Sequence, residues 1–304
     1  MTATATAPPT GSIYDLGYRR YEGPRLGRAH AVRAMVIDSV RTAYGIGHGG
    51  RAKIAPAVFT VLAVLPAVIV VGVLAIAARI GTSAPFEGAF PLGYDTYYRN
   101  IATMIGLFCA AQAPELFARD QRHGIVALYF ARALRRSDYA IARLVGFGLA
   151  LLVVLLLPMA VLLLGRVLLS TDVVASLGDN LPTVPAIVGQ ALVIAGLFGS
   201  LSMAVSAYTP RRAYAVAATI ALFVVPGIVA EIVIGLGSGP LGTWLVLFSP
   251  GTILDGTSAL FFGKPLPERL FFFDLPTWTF LASDLVVTGI AAALVLRRFV
   301  RMAV

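Results

Sequence analysis

Charged residues are scarce in this chain. They make up 13% of its 304 residues, whereas a soluble domain carries about a quarter, and the hydrophobic share is 58%. So few charges cannot cover the surface of a protein of this size in water. The composition therefore predicts a polytopic membrane protein.

Cysteine and histidine are almost absent as well. The single Cys109 lies in an apolar run, which excludes an internal disulfide and a cysteine metal site. His30, His48 and His123 all fall in segments predicted to lie outside the membrane, so no embedded Ser-His pair or histidine metal cluster is expected. No GxxxxGK[ST] motif occurs, so any ATP and Mg²⁺ would be bound by another polypeptide. We therefore expect no catalytic residue, metal site or cofactor in this chain.

Six apolar runs are long enough to cross a bilayer. The predicted spans are residues 54–78, 100–117, 140–164, 185–208, 214–235 and 278–296. The second is short and is predicted to break near Pro114. The expected fold is an all-α polytopic membrane protein, with a cytosolic segment (1–53) before a six-helix transmembrane domain (54–304).

The basic residues predict the orientation. If both termini are cytoplasmic, only five of the 24 basic residues are external, namely Arg79, Arg99, Arg166, Lys264 and Arg269. Loops rich in Lys and Arg are retained on the cytoplasmic side during insertion. The net charge of +9 is therefore assigned to topogenic residues and not to a nucleic-acid partner.

An amphipathic helix is predicted ahead of the first span, over residues 28–44. Its apolar residues recur at helical spacing and most of its charges fall elsewhere. The apolar set is Val32, Met35, Val36, Val40 and Ala43, and the charged set is Arg28, Arg33, Asp38 and Arg41. The pattern predicts a helix that lies along the inner membrane surface.

A basic segment with helical potential, residues 119–139, joins the second and third spans. Ile125, Leu128 and Tyr129 fall at helical offsets and form an apolar patch framed by arginines. Such a patch suits insertion into a groove with a charged rim. The alternative is a topogenic loop that lies on lipid headgroups.

The connection between the fifth and sixth spans is long. Its two apolar stretches, 244–248 and 253–262, are separated by Ser249-Pro-Gly251, and each is too short to cross the membrane. We expect two short re-entrant helices that dip into the outer leaflet.

Three carboxylates are predicted at membrane depth, where ionisable groups are costly and become functional candidates. Glu115 precedes Arg119 by one helical turn, which permits an ion pair or a helix cap as well as a mechanistic role. Glu231 and Asp284 lie in the outer parts of their spans, where they are candidates to contact a substrate.

Several motifs resemble the permease subunit of bacterial type-2 ABC exporters, in order along nearly the whole chain. They are the cytosolic opening at 13–28, Ala113-Pro-Glu-Leu116, Arg119-Asp-Gln-Arg-His-Gly124, Leu128-Tyr-Phe130, Leu134-Arg-Arg-Ser-Asp-Tyr139 and Ser249-Pro-Gly-Thr252. Many relatives have a proline where this chain has Ala133. The Arg-rich, Lys-poor usage also resembles that of a high-GC bacterium.

The resemblance implies a permease that pairs with a second permease, identical or homologous, and with two ABC ATPase subunits. Residues 121–130 would be a coupling helix seated in the ATPase, and residues 28–44 the interface helix. The implied coupling residues are Arg119, Gln121, Arg122, His123, Gly124, Ile125, Leu128 and Tyr129. Those of the interface helix are Arg28, Arg33, Met35, Val36 and Arg41. Transport would follow a dimer interface lined by spans one, two and five.

The function expected from these observations is outward movement of an amphipathic, lipid-like or drug-like substrate across a bacterial cytoplasmic membrane. ATP hydrolysis would occur in a partner chain. One alternative is an intramembrane hydrolase that uses Glu231 and Asp284 as paired carboxylates. Another is a membrane anchor or assembly protein without a transport path.

Overall fold

The chain folds into α-helices. The computed structural model describes residue 23 and residues 26–47, 49–80, 93–122, 124–130, 134–236 and 239–302, and within them there is no β-strand. The described helices are α1 Arg28–Ala43, α2 Gly50–Ile80, α3 Tyr94–Arg122, α4 Val126–Phe130, α5 Arg136–Leu169, α6 Val173–Asn180, α7 Val184–Tyr208, α8 Arg212–Leu236, α9 Pro240–Leu247, α10 Pro250–Phe262 and α11 Thr277–Val300.

Six helical segments of the described chain are long and apolar enough to span a membrane. They are α2, α3, α5, α7 with the preceding α6, α8 and α11. Each contains one span predicted from the sequence, so the prediction of six helices long and apolar enough to span a membrane is confirmed. The first part of the segment predicted to be cytosolic, before residue 23, and the loop at 81–92 lie outside the described residues.

The predicted break in the second span is wrong. α3 runs without interruption through Pro114, which is buried inside the helix. Proline removes one backbone hydrogen bond, but neighbouring helices hold a transmembrane helix together at such points. Helices α2, α5 and α8 likewise contain internal prolines, namely Pro56, Pro66, Pro158 and Pro226.

The connection between α8 and α11 contains two short helices, as predicted. Phe248 and Ser249 separate α9 from α10, and Pro250 follows, whose fixed φ suits the first position of a helix. α10 packs against α11, α3, α7 and α8, so it belongs to the helix bundle.

α3 and α5 form the centre of the bundle. α5 contacts α1, α2, α3, α7 and α11, and α3 contacts α2, α7, α8 and α10. In its most apolar stretch α3 is 67% buried, compared with 17% for α2 and 11% for α8. α2 and α8 therefore present wide apolar faces outward, to lipid or to another chain.

α1 packs along the first half of α5. Arg28 at its start contacts Asp138, and the Tyr44 hydroxyl just after its end donates a 2.8 Å hydrogen bond to the Ala150 carbonyl. Successive turns of α1 thus meet successive turns of α5. The helix predicted over 28–44 is confirmed. Its amphipathic pattern did not predict that it packs against α5 over several turns.

Gly146 of α5 provides the closest approach to α1. A methyl group there would lie 2.4 Å from the Ser39 Cβ and 2.8 Å from the Val36 carbonyl oxygen. Neither backbone can retreat without separating the two helices. Gly148, two residues later, has nothing within 4 Å of an added Cβ.

We therefore expect Gly146→Ala to destabilise the fold and Gly148→Ala not to. The first should lower the free energy of unfolding by about 1–3 kcal/mol through overpacking. The second should leave it unchanged or raise it by up to about 1 kcal/mol, since alanine favours helix over glycine. Denaturant titration of the purified variants in detergent measures both. Equal stability of the two variants would contradict the close packing of α1 on α5.

Candidate functional site

The loop between α3 and α5 is built from a helix end, a tight turn and a short helix. α3 continues through Gln121 to Arg122, Gly124 takes a left-handed conformation with φ +66°, and α4 follows. The Ile125 N–H donates back to the Asp120 carbonyl at 3.1 Å. The single coupling helix predicted over 121–130 is therefore two pieces, because the turn at Gly124 redirects the chain.

A buried arginine ties this loop to the bundle. The Arg143 side chain is 3% exposed, and its Nη2 donates to Asp120 Oδ2 at 2.7 Å. Its Nη1 donates to Asp38 Oδ2 at 3.0 Å and to the Ser39 hydroxyl at 3.2 Å. The Tyr139 hydroxyl also donates to Asp120 Oδ2, at 2.8 Å. This Arg143 cluster (Asp38, Ser39, Asp120, Tyr139 and Arg143) joins α1, α3 and α5.

Aromatic rings continue the connection to α4 and α11. Tyr139 lies between Phe299 of α11 and Tyr129 of α4, with ring centroids 5.1 and 5.6 Å away. Phe130 meets the same ring edge-on at 5.9 Å, and Phe117 of α3 lies 4.6 Å from Phe299. We call Phe117, Tyr129, Phe130, Tyr139 and Phe299 the aromatic cluster. Pairs at these distances attract one another beyond their burial of apolar area.

Tyr129 therefore packs inward, against its own chain. Burial raises the pKa of its phenol, and the negative charge of Asp120 acts in the same direction. The sequence predicted that Ile125, Leu128 and Tyr129 form an apolar patch for a partner groove. At least the Tyr129 ring packs on the same chain instead.

A second ion pair holds the start of α1. Arg28 donates from Nε and Nη2 to the two carboxylate oxygens of Asp138, at 2.6 and 2.5 Å. Asp138 also accepts the backbone N–H of Arg135, which caps the start of α5. The Asp138 carboxylate thus caps the start of α5, where the loop ends, and also binds Arg28 at the start of α1.

The remaining residues of the predicted coupling segment differ in exposure. Arg122 and Gly124 are exposed, whereas Arg119, Gln121 and Ile125 are partly buried. The Gln121 amide donates to the Ala207 carbonyl near the end of α7 at 3.2 Å. His123 and the side chain of Leu128 lie outside the described residues.

The predicted interface-helix residues divide by face. Arg28, Arg33 and Arg41 are exposed, Met35 is buried and Val36 is partly buried. Met35 and Val36 belong to the hydrophobic core that α1 shares with α5. The arginines remain on the accessible side of α1.

Each predicted membrane carboxylate has its own surroundings. Glu115 pairs with Arg212 at the start of α8, at 2.8 Å. Glu231 pairs with Arg269, which also binds Asp255. Asp284 is 1% exposed, and its Oδ1 has no hydrogen-bond partner in the described chain.

These surroundings do not favour a paired-carboxylate hydrolase. Glu231 is exposed and neutralised by a guanidinium, whereas Asp284 is enclosed within the bundle. Among the residues that the structure describes, no group of three or more His, Cys, Asp or Glu side chains could hold a metal ion.

Sequence reasoning missed Arg143, Asp120 and Asp38 as a connected set. It interpreted Arg143 only as a basic residue that sets the orientation. One signal was present, because Arg143 falls inside the predicted third span, where an unpaired charge is costly. An acidic partner near the end of a neighbouring span was therefore to be expected.

No model of a known protein family matches the chain, and a search of curated proteins found no match either. The resemblance to type-2 ABC exporters therefore rests on the sequence motifs alone and stays a prediction.

The Arg143–Asp120 pair should be strongly coupled. Arg143→Met leaves Asp120 buried without its cation, and Asp120→Asn leaves Arg143 with one carboxylate fewer. We expect each to cost about 3–5 kcal/mol of unfolding free energy, and the double variant clearly less than the sum. Denaturant titration of the wild type, the two single variants and the double variant in detergent gives the four unfolding free energies of this double-mutant cycle.

Arg41→Met serves as the control, because Arg41 is an exposed arginine on α1. Its effect should stay within about 0.5 kcal/mol. Additive losses from Arg143→Met and Asp120→Asn would show that the two side chains do not stabilise each other.

Proposed function

We propose that this chain is the permease subunit of an ATP-driven exporter in a bacterial cytoplasmic membrane, with both termini inside. ATP and Mg²⁺ would be bound by separate ATPase subunits. The substrate would be amphipathic, lipid-like or drug-like, and it would move outward. The support comes from the motifs of the loop between α3 and α5, together with the way that loop is attached to the bundle.

One observation supports the proposal most strongly. α4 is a five-residue helix in a short loop, and its Tyr129 and Phe130 rings pack on Tyr139, next to the buried Arg143. A force on α4 would therefore reach α1, α3, α5 and α11 together. A loop that only marked the topology would not need such an attachment.

The mechanism follows from this attachment. Closure of the ATPases on ATP would displace α4 and the exposed residues beside it, Arg122 and Gly124. The Arg143 cluster would carry the displacement into α3 and α5, which form the centre of the bundle. A rotation of these packed helices would then change access along the interface with the second permease, a switch between two discrete packings.

The second permease would pack on spans one, two and five, which correspond to α2, α3 and α8. α2 and α8 carry large exposed apolar side chains along most of their length. Lipid covers such faces equally well, so the exposed side chains of α2 and α8 do not by themselves identify a second permease. An apolar path of this kind suits an amphipathic substrate better than an ion. α9 and α10 would be the external re-entrant helices.

Co-purification and ATP hydrolysis test the proposal together. The tagged chain is purified from its native host in mild detergent, and the proteins that accompany it are identified by mass spectrometry. We expect a stoichiometric partner with a Walker motif and measurable ATP hydrolysis. Arg122→Glu and Leu128→Asp should insert normally but weaken that association by about tenfold or more, because each alters the proposed docking surface.

Arg297→Glu is the matched control. Arg297 is also an exposed arginine at a helix end, but it lies on α11, outside the predicted coupling segment. This variant should retain the partner and its ATP hydrolysis. Recovery of the chain without any ATPase, or an unchanged complex in both loop variants, would refute the coupling proposal and favour an anchor or assembly protein.

A further inference from the structure

A cavity of about 300 Å³ lies at the end of the bundle opposite α4. The first turns of α3 form one wall, α10 forms another, and Gln190 of α7 also lines the cavity. Tyr98 of this end and Asp120 of the Arg143 cluster both belong to α3 and lie about 33 Å apart along its axis. The volume is at the lower limit of ordinary small-molecule sites.

Two buried polar atoms at this cavity have no partner in the described chain. They are the Tyr98 hydroxyl, on a residue 1% exposed, and Oε1 of Gln190, on a residue 0% exposed. Both residues line the cavity. A buried polar atom without a hydrogen bond is costly, so a polar occupant of the cavity that bonds these atoms would offset that cost.

The orientation of the Gln190 amide follows from its neighbours. Its Nε2 donates to the Leu254 carbonyl at 3.3 Å and to the Thr257 hydroxyl at 3.2 Å. A flipped amide would point Oε1 at the Leu254 carbonyl, which is also an acceptor. Gln190 is therefore held with its acceptor unused, so an occupant must supply a hydrogen-bond donor.

The wall beside these atoms is held by ion pairs. Asp255 accepts from Arg99 of α3 at 3.0 Å and from Arg269, which also pairs with Glu231 of α8. Burial raises the pKa of the Asp255 carboxyl, and the two guanidinium groups act in the opposite direction. The chain of four charges fixes α10 against α3 and α8, so the cavity is formed before any ligand enters.

The charges around the cavity indicate the class of ligand. Asp95 and Asp255 face Arg99 and Lys264 across the lining, so their formal charges cancel. A ligand with a net charge gains little there. The unused atoms are a neutral amide oxygen, which accepts a hydrogen bond, and a phenol, which can donate one, and a hydroxyl group can serve as either partner.

We propose that this cavity binds a small hydroxyl-bearing group of no net charge, about the size of one sugar ring. The source can be a soluble polyol or the headgroup of a neutral glycolipid. The proposal goes beyond the exporter function and does not depend on it, since the cavity lies at the end of the bundle remote from α4.

Binding is measured on the full chain in nanodiscs, by saturation-transfer NMR with glycerol, glucose and inositol as soluble probes. Nanodiscs with and without a monoglucosyl diacylglycerol, followed by native mass spectrometry, test the lipid source. Glycerol 3-phosphate and glycine betaine are the charged and zwitterionic comparisons. We expect saturable binding of at least one neutral probe, soluble or lipid, and none of glycerol 3-phosphate.

Two variants locate the site. Tyr98→Phe removes one hydroxyl and Gln190→Leu removes the amide, and each should weaken binding about five- to tenfold. Tyr94→Phe is the matched control, because Tyr94 lies one turn earlier in α3 and its hydroxyl donates to Asn180 instead. Its binding should equal that of the wild type.

Three results would overturn the proposal. One is the absence of saturable binding for every neutral probe, which would leave water as the occupant. Another is binding that Tyr98→Phe and Gln190→Leu do not change. The third is stronger binding of glycerol 3-phosphate or betaine than of any neutral probe. Gln190→Leu can destabilise the fold, so Tyr98→Phe decides where the two variants differ.

Discussion

The interaction on which the described architecture depends is the buried contact between Arg143 and Asp120. A guanidinium withdrawn from water must be paired and hydrogen-bonded, since an uncompensated charge costs several kcal/mol. Asp120 provides the pair, and Asp38, Ser39 and Tyr139 provide the surrounding contacts. Because these groups come from α1, α3 and α5, their contacts fix the positions of the three helices relative to one another at this end of the bundle.

The two ends of the bundle use charge differently. At the end with α4, a buried ion pair and a group of aromatic rings attach a short helix to four others. At the opposite end, the chain formed by Arg99, Asp255, Arg269 and Glu231 fixes the walls of a cavity. α3 contributes Asp120 to the first arrangement and Arg99 to the second. α3 is the most buried of the six candidate spanning helices, and it connects the proposed docking end of the bundle to the proposed binding cavity.

The six spans and α1 were predictable because hydrophobic run length and helical periodicity are local properties of the sequence. The two short helices before α11 were predictable for the same reason, since Ser249-Pro-Gly251 separates two apolar stretches. The continuity of α3 through Pro114 was not, because neighbouring helices decide whether a proline interrupts a buried helix. The contact between Glu115 and Arg212 joins two spans, and no local pattern contains it.

The candidate site was predicted only in part. Periodicity indicated that Ile125, Leu128 and Tyr129 share a helical face, but it could not indicate whether that face meets a partner or the same chain. Tyr129 packs against the same chain. The charge bias across the membrane treats each arginine as a marker of sidedness, so the role of Arg143 as a connection was invisible to it. Tertiary packing supplies both facts.

The central claim is that the Arg143 cluster makes α4 and α1 move with the bundle. Hydrogen–deuterium exchange of the full chain in nanodiscs tests it most directly, by comparison of the wild type with Arg143→Met. The account predicts faster exchange throughout α4 and α1 in the variant, with the exchange of α10 unchanged. Unchanged exchange in α4 and α1 would contradict the account, because these helices would then be held independently of Arg143.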